Sequence, residues 1–280
     1  MVFNALLSLA LAAARPAAAG AALLEHPYSS LPAAASAELA PVAGIVDGET
    51  LEYKIYWGLI YVGSSYLKID KVVDISSRTA WHIVSEARSG SFLANFYKVR
   101  DRNEAWLDTS GLYSYGYYKI LSEGGYFFNE WVVFDVPGGR YYGKKMNRKG
   151  EISDLGGPLD KPVNDVLSAI YRLRTMQVAP GTKIGMDVNT KRNWRLTIKA
   201  GKREKISTDY GKRKCLLLEP MVGEDGLFVA KAGKRMLVWI TDDELKLPMM
   251  LKAEIFIGSI TAKLVRRTIE KRAVVSAAPK

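Results

Sequence analysis

Met236-Leu237-Val238-Trp239-Ile240-Thr241-Asp242-Asp243-Glu244-Leu245-Lys246-Leu247-Pro248 is an apolar, β-rich run followed by three acids, and a second apolar run continues it from Met249 to Val265. Pro248 lacks an N–H and would clash inside a helix, so the segment reads as a strand, a sharp acidic turn and a longer return strand. On the return, Leu251, Ala253, Ile255 and Ile257 share one face at period two. After Gly258 the apolar set becomes Ile260, Ala262 and Leu264, one residue out of phase. Such a slip would turn every side chain over. Within a single strand the economical repair is a bulge or bend at Gly258-Ser259, where glycine tolerates positive φ.

Alternation of the same kind runs outward from this hairpin through most of the chain. Leu51, Tyr53, Ile55 and Trp57 share a strand face, and Ser64 to Val73 and Ala80 to Ser89 follow as strands. Phe92 to Tyr97 reads as one helical turn or a crossover. Strands are expected at Val99 to Leu107, Leu112 to Leu121, Tyr126 to Phe134 and Arg140 to Asn147. Further on they are expected at Lys183 to Asn189, Trp194 to Ala200, Arg203 to Asp209 and Lys214 to Glu219, with turns at Gly201-Lys202 and Gly211-Lys212. Phe228 to Ala230 is a short piece before the hairpin.

A single amphipathic helix interrupts them at about 163–176. Val163, Val166, Leu167, Ile170, Tyr171 and Leu173 form its stripe, Asp160 is the expected N-cap, and Pro162 suits the first turn. Lys161, Arg172 and Arg174 are expected outside the stripe. The fold class that follows is mainly β: a long antiparallel meander forming a curved sheet or partly open barrel or sandwich, covered by that helix.

With 280 residues, 48% of them hydrophobic, the chain can bury a sizeable core, and no internal run is long enough for a transmembrane helix. Residues 1–19 resemble a signal peptide, with an apolar Val2 to Ala14 and an A-x-A site at Ala17 to Ala19, although Met1 to Leu11 carries no basic residue. The Ala/Pro-rich stretch 20–43 reads as a flexible tether, 44–272 as one β-rich domain and 273–280 as a disordered tail. The one cysteine, Cys215, lies in an apolar strand, so no disulfide forms within the chain. A net charge of +11 favours an anionic surface or ligand.

Several short motifs together resemble the domain-of-unknown-function 3108 family. They are Gly48-Glu49 with Leu51 and Tyr53, Trp57-Gly58, and Val62-Gly63 near the start, then Leu167 with Tyr171-Arg172-Leu173-Arg174 in the helix. Gly211, Cys215 and Pro220 follow, and Trp239, Asp242, Asp243, Pro248 and Gly258 close the set. The resemblance spans Gly48 to Leu264. It implies an exported bacterial protein, periplasmic or outer-membrane-associated in a Gram-negative-type envelope, with an antiparallel β fold. It implies no catalytic residue, because the family has none agreed.

Candidate chemistry is sparse. Tyr113, Tyr115 and Tyr117, spaced to line one strand face, with Trp131 nearby, are suited to stack on sugar rings or line an acyl-chain cavity. Arg192 and Arg195 belong to a basic stretch, Lys191 to Lys214, suited to lipid phosphates or lipopolysaccharide. That charge also suits a solvated sheet face, and no nucleic-acid fingerprint accompanies it. Asp242, Asp243 and Glu244 lack the staggered spacing with which a loop wraps a cation, so no metal site or cofactor is expected. Nucleophile elbow, zinc-ligand spacing and phosphate loop are all missing, and of two histidines only His82 falls outside the expected tether.

The leading expectation is therefore a non-enzymatic binder or carrier of a hydrophobic or amphiphilic envelope component, a lipid or glycolipid. A structural or protein-interaction module of the envelope is the alternative. An envelope-polymer hydrolase is the third, and would need two carboxylates at suitable separation in a pocket.

Overall fold

The computed structural model describes residues 23–34, 39–221, 235–255 and 257–270. The expected signal peptide, the 273–280 tail and the short piece at Phe228 to Ala230 lie outside the described residues.

Among the described residues fourteen strands form one antiparallel sheet. Eight of them, β1 (Glu49–Trp57), β2 (Ile60–Ile75), β3 (Arg78–Ser89), β4 (Arg100–Asp108), β5 (Ser114–Glu123), β6 (Tyr126–Asp135), β7 (Arg140–Asn147) and β8 (Ile152–Pro158), run outward in sequence. A short helix, α1 (Ser91–Ala94), joins β3 to β4, and the main helix, α2 (Val166–Thr175), follows β8. The chain then restarts at the far edge with β9 (Lys183–Asn189), β10 (Asn193–Thr208), β11 (Gly211–Met221), β12 (Met236–Thr241), β13 (Pro248–Glu254) and β14 (Ser259–Ile269). β14 pairs with β1, so the order is β8 through β1, then β14 down to β9.

The ladder does not close between β8 and β9, and isolated contacts span the gap instead. The Tyr141 hydroxyl donates to the Lys191 carbonyl at 3.0 Å, Asn193 Nδ2 donates to the Pro158 carbonyl at 2.7 Å, and the backbone of Asn164, after β8, forms a single parallel bridge to Val188. The curved-sheet expectation holds as a barrel-like, incompletely closed sheet.

α2 lies on the enclosed face. Its cap is Asp165, five residues later than expected: the carboxylate accepts the N–H groups of Leu167 and Ser168 at 2.7 and 3.2 Å. Asp160 loses the role because the intervening backbone is committed elsewhere, Val163 C=O to Ser114 and Asn164 N–H to Asp187. From one side of α2, Leu167 and Tyr171 enter the main core with Leu51, Ile83, Leu107, Met249 and Leu264. From the other, Ala169 and Leu173 join a second cluster with Met186, Leu196, Leu218 and Ile240.

Three further expectations need correction. The Met249 to Val265 run is two strands, not one bent strand. Gly258, at φ 81°, turns the chain back so that Glu254 pairs with Ser259, and the phase slip marks a full reversal. Conversely, Gly201-Lys202 is not a turn but a bulge within the single strand β10, between Ala200 and Arg203. The third concerns part of the expected tether. Residues 23–34 pack on the outer face of the sheet, where His26 is buried and Tyr28 and Leu31 cover Val73, Ile75, Ala80 and Trp106. Gly116 permits this, since a Cβ there would stand 3.1 Å from His26 Nε2. β8 carries no strong alternation, so its sequence gives no strand signal.

Among the described residues no helix is long and apolar enough to cross a membrane.

Candidate functional site

Between α2 and strands β9 to β13 the enclosed face does not fill. A cleft of about 100 Å³ remains, lined almost wholly by carbon. Val166, Ala169, Ile170 and Leu173 form its helical wall, and Val188, Leu196, Val238, Ile240 and Leu251 its sheet wall. Trp194 and Thr190 stand at one side, with the Trp194 indole N–H tied to the Thr190 hydroxyl at 3.0 Å. The ordinary helical spacing of a stripe wider than one partner can cover explains the vacancy. Leu167, Tyr171 and Arg174 turn toward β1 to β4, which leaves the 166/169/170/173 side in only partial contact with the concave sheet opposite.

Tyr53, Pro248 and Arg174 close one end of the cleft. Arg174, expected in solvent, is wholly buried, which is a correction: it donates to both Glu49 oxygens at 2.6 and 3.2 Å and to the Leu245 carbonyl at 3.0 Å. Arg267 adds a third donor to Glu49 at 2.7 Å. Burial by itself would lower the Arg174 pKa, but the Glu49 carboxylate outweighs it and the guanidinium is held more firmly charged than usual. The Tyr53 hydroxyl donates to the Pro248 carbonyl at 3.0 Å, and burial pushes its pKa well above the ordinary tyrosine value. Since the polar atoms of Arg174 point at Glu49 and Leu245, the cleft itself meets carbon.

The motifs quoted from the sequence meet around this end. Glu49 and Tyr53 come from the first motif, Arg174 from the helix and Pro248 from the closing hairpin. Nearby, the Trp57 indole N–H donates to the Ile257 carbonyl beside Gly258, and that of Trp239 to Glu204 at 2.7 Å. Gly63 is buried against Arg88, with no room for a Cβ beside that residue's carbonyl. Both aspartates of the acidic turn are employed. Asp243 accepts from Thr241, Leu245 and Lys246, while Asp242 pairs with Arg203 and Lys214 at 2.8 and 3.1 Å, which pulls its pKa down. No group of residues suited to hold a metal occurs among the described residues.

The aromatic and basic candidates are not brought together. Tyr117 lies on the enclosed face with Val132 and Phe134, its hydroxyl donating to Glu130 at 2.7 Å. Tyr115 packs toward the outer-face cluster and donates to Asp108. A register shift at Trp106/Leu107 opposite Gly116 inserts one extra residue and separates the two tyrosines. Tyr113 precedes β5, its ring 5.5 Å from Tyr115 and under the Arg78 guanidinium. Trp131 sits on the outer face between His26 and Tyr142. Arg192 is exposed in the β9–β10 turn, and Arg195 pairs with Asp187 at 2.9 Å. None of these six lines the cleft.

Residues 52–265 match the family described as "Protein of unknown function (DUF3108)". The chain belongs to the DUF3108 family. No curated protein matches it in sequence. Among solved structures, this DUF3108 chain is similar to a β-barrel-like protein of domain of unknown function DUF1849 from Brucella abortus. That match has 11% identity and a TM-score of 0.52, over 82% of this chain and 100% of the other. Looser matches are a candidate lipoprotein from Parabacteroides distasonis and a candidate exported protein with a YmcC-like fold from Bacteroides fragilis. Their identities are 10% and 11% and their TM-scores 0.30 and 0.29; each covers 81% of this chain, and 99% and 98% of its own. At such identities the Brucella likeness concerns the fold alone: a barrel-like antiparallel sheet, as the DUF3108 chain has here.

Two other buried polar sets could be mistaken for a reactive centre. Asp101 and Glu123 are neighbouring acids on the enclosed face, where burial raises the Asp101 pKa, but they are 2% and 0% exposed. On the outer face His82 contacts Glu104 at 2.8 Å and Asp70 at 3.3 Å. Burial would lower its pKa, and the two carboxylates overcome that and raise it. Sequence spacing gave little warning of either, because each assembles across neighbouring strands.

Proposed function

We propose that this DUF3108 protein is an exported, non-enzymatic binder or carrier whose cleft takes the apolar part of an envelope lipid or glycolipid. The observation that carries the reading is the cleft under α2, an unfilled space lined by carbon on the enclosed face. Its about 100 Å³ is below the several hundred Å³ typical of drug-sized ligands, and suits part of one acyl chain. An apolar space of this kind stays dry and gains from an apolar guest, since neither side loses hydrogen bonds to water. The buried Glu49–Arg174 pair sets the helix at the cleft's end and offers the guest no free charge. The apolar leader and its A-x-A site support export to the periplasm or the outer membrane's inner face.

Native mass spectrometry of the protein purified from envelope extracts tests it. Retained mass of one lipid or glycolipid per chain is the expected result; a bare chain under conditions that preserve a known lipid carrier's cargo contradicts it.

A second reading, an interaction module, draws on β8. That strand pairs on one side only and is largely exposed from Ile152 to Gly156, so its other side can accept a partner strand. Crosslinking that captures a protein through β8 would favour it over the carrier.

A further inference from the structure

We propose that one pole of the barrel docks on a lipid surface bearing anionic headgroups. In an up-and-down meander every connection from an odd to an even strand emerges at the same end, so the β1–β2, β3–β4 and β13–β14 connections are neighbours. They carry most of the large apolar side chains left exposed among the described residues. Leu59, at the β1–β2 tip, is 97% exposed, and Ile257 in the β13–β14 turn is 66% exposed. The β3–β4 connection adds Phe92, in α1, and Phe96, just after it, with ring centroids 6.0 Å apart.

These tips form one patch. The Trp57 indole N–H donates to the Ile257 carbonyl at 2.9 Å and the Gly58 N–H to the Ser259 carbonyl at 3.0 Å, tying the first tip to the last. Tyr61 lies against Gly90, whose N–H donates to Val62 at 2.8 Å, tying the same tip to α1. Singly exposed apolar residues need no explanation, but a joined set of loop tips does.

Charge selects the occupant. Lys98 and Arg100 are exposed beside α1, and Lys149, Lys191 and Arg192 on the β7–β8 and β9–β10 turns at the same end. Among the described residues the acids there that are not fully buried are Glu151 and Glu254, and Glu254 is occupied by the Arg235 N–H at 3.1 Å. Protruding Leu, Ile and Phe with Trp and Tyr at their base, flanked by cations, match the apolar-to-phosphate gradient of a bilayer surface. A protein partner would more naturally meet a concave or flat apolar face. The inference is independent of the cleft: a chain that holds no lipid inside can still dock.

Co-sedimentation of the full chain with phosphatidylcholine vesicles, with and without phosphatidylglycerol, tests it. The wild type should pellet with the mixed vesicles. Combined Leu59→Asp, Phe92→Ser and Phe96→Ser should weaken binding at least about tenfold at unchanged melting temperature, since these side chains are already in solvent. Lys98→Glu with Arg100→Glu should weaken binding to mixed vesicles only. Failure of the wild type to pellet, or equal pelleting of the triple variant, overturns the proposal. So does a concentration-dependent dimer abolished by the triple substitution without vesicle binding, which would give the patch to a second copy. A charge-reversed chain that pellets like wild type overturns the anionic requirement.

Discussion

Arg174 of α2 grips both carboxylate oxygens of Glu49, 125 residues earlier in the chain, at 2.6 and 3.2 Å in the closed interior. Glu49 opens β1 and Arg174 lies in the last turn of the helix, so this one pair fixes how α2 sits in the sheet and therefore how wide the cleft beside it is. Removing one partner leaves the other buried and charged, Arg174 with only the Leu245 carbonyl and Glu49 with only Arg267. Arg174→Met or Glu49→Gln should therefore destabilise by roughly 3–5 kcal/mol, and the double variant by clearly less than the sum. Urea unfolding of the double-mutant cycle measures this; additive losses would show that the two groups do not act as a pair.

The β13–β14 reversal depends on a backbone conformation that side chains with a Cβ rarely adopt. Gly258 sits at φ 81°, with Trp57 Nε1 3.6 Å from where a Cβ would be, so conformation and not space is the constraint. Gly258→Val should cost about 1–3 kcal/mol and lower the melting temperature. Gly258→Asn, which tolerates the left-handed region, should cost less. Equal effects would show that bulk decides.

His26 makes folding pH-dependent. Its Nε2 donates to the Val132 carbonyl at 3.2 Å while Nδ1 accepts the Tyr28 N–H at 3.0 Å, so the neutral ring is the one that fits. Burial, helped a little by His82, lowers its pKa from 6.5 to about 4. A base depressed in the folded state contributes stability that is whole above 6.5 and is lost as pH falls toward 4. The loss is about 3 kcal/mol at most. His82 has the opposite sign: raised by Asp70 and Glu104, it contributes below 6.5 and fades as pH rises through its folded value. Denaturation of wild type and His26→Phe between pH 4 and 7 separates them. The variant should lose part of the slope, and identical slopes would contradict the assignment.

The N-cap sets where α2 begins. Asp165 accepts from Leu167 and Ser168 and also holds the Ser168 hydroxyl at 2.5 Å, so Asp165→Ala should destabilise by about 1–2 kcal/mol, and Asp160→Ala by almost nothing. Thermal melts of the two variants decide between the caps.

Strand alternation and the closing hairpin made the antiparallel meander legible, and the paired motifs made the family legible. What stayed hidden depends on partners far away in sequence. Arg174 stands seven residues after Leu167 and three after Tyr171, on their side of the helix. That position was the available sign that a charge would be buried, but its partner is in β1. Period-two spacing put Tyr115 and Tyr117 on one face, and a single inserted residue opposite Trp106 undid it. His26 lies in an Ala/Pro-rich stretch whose composition suggests a tether. What holds it lies in strands far along the chain: the Trp106 indole stacked 4.2 Å from the imidazole, the Val132 carbonyl, and the apolar surface under Tyr28 and Leu31. The cleft was invisible for the same reason, because a void belongs to no residue.

The most direct test of the carrier reading is displacement of a fluorescent fatty acid from purified wild type and from Ala169→Phe, which fills the cleft from the helix side. Wild type should bind the probe and release it to unlabelled fatty acid, and the filled variant should bind at least about tenfold more weakly with its melting temperature kept. Equal binding by both chains, or none by wild type, would contradict the account.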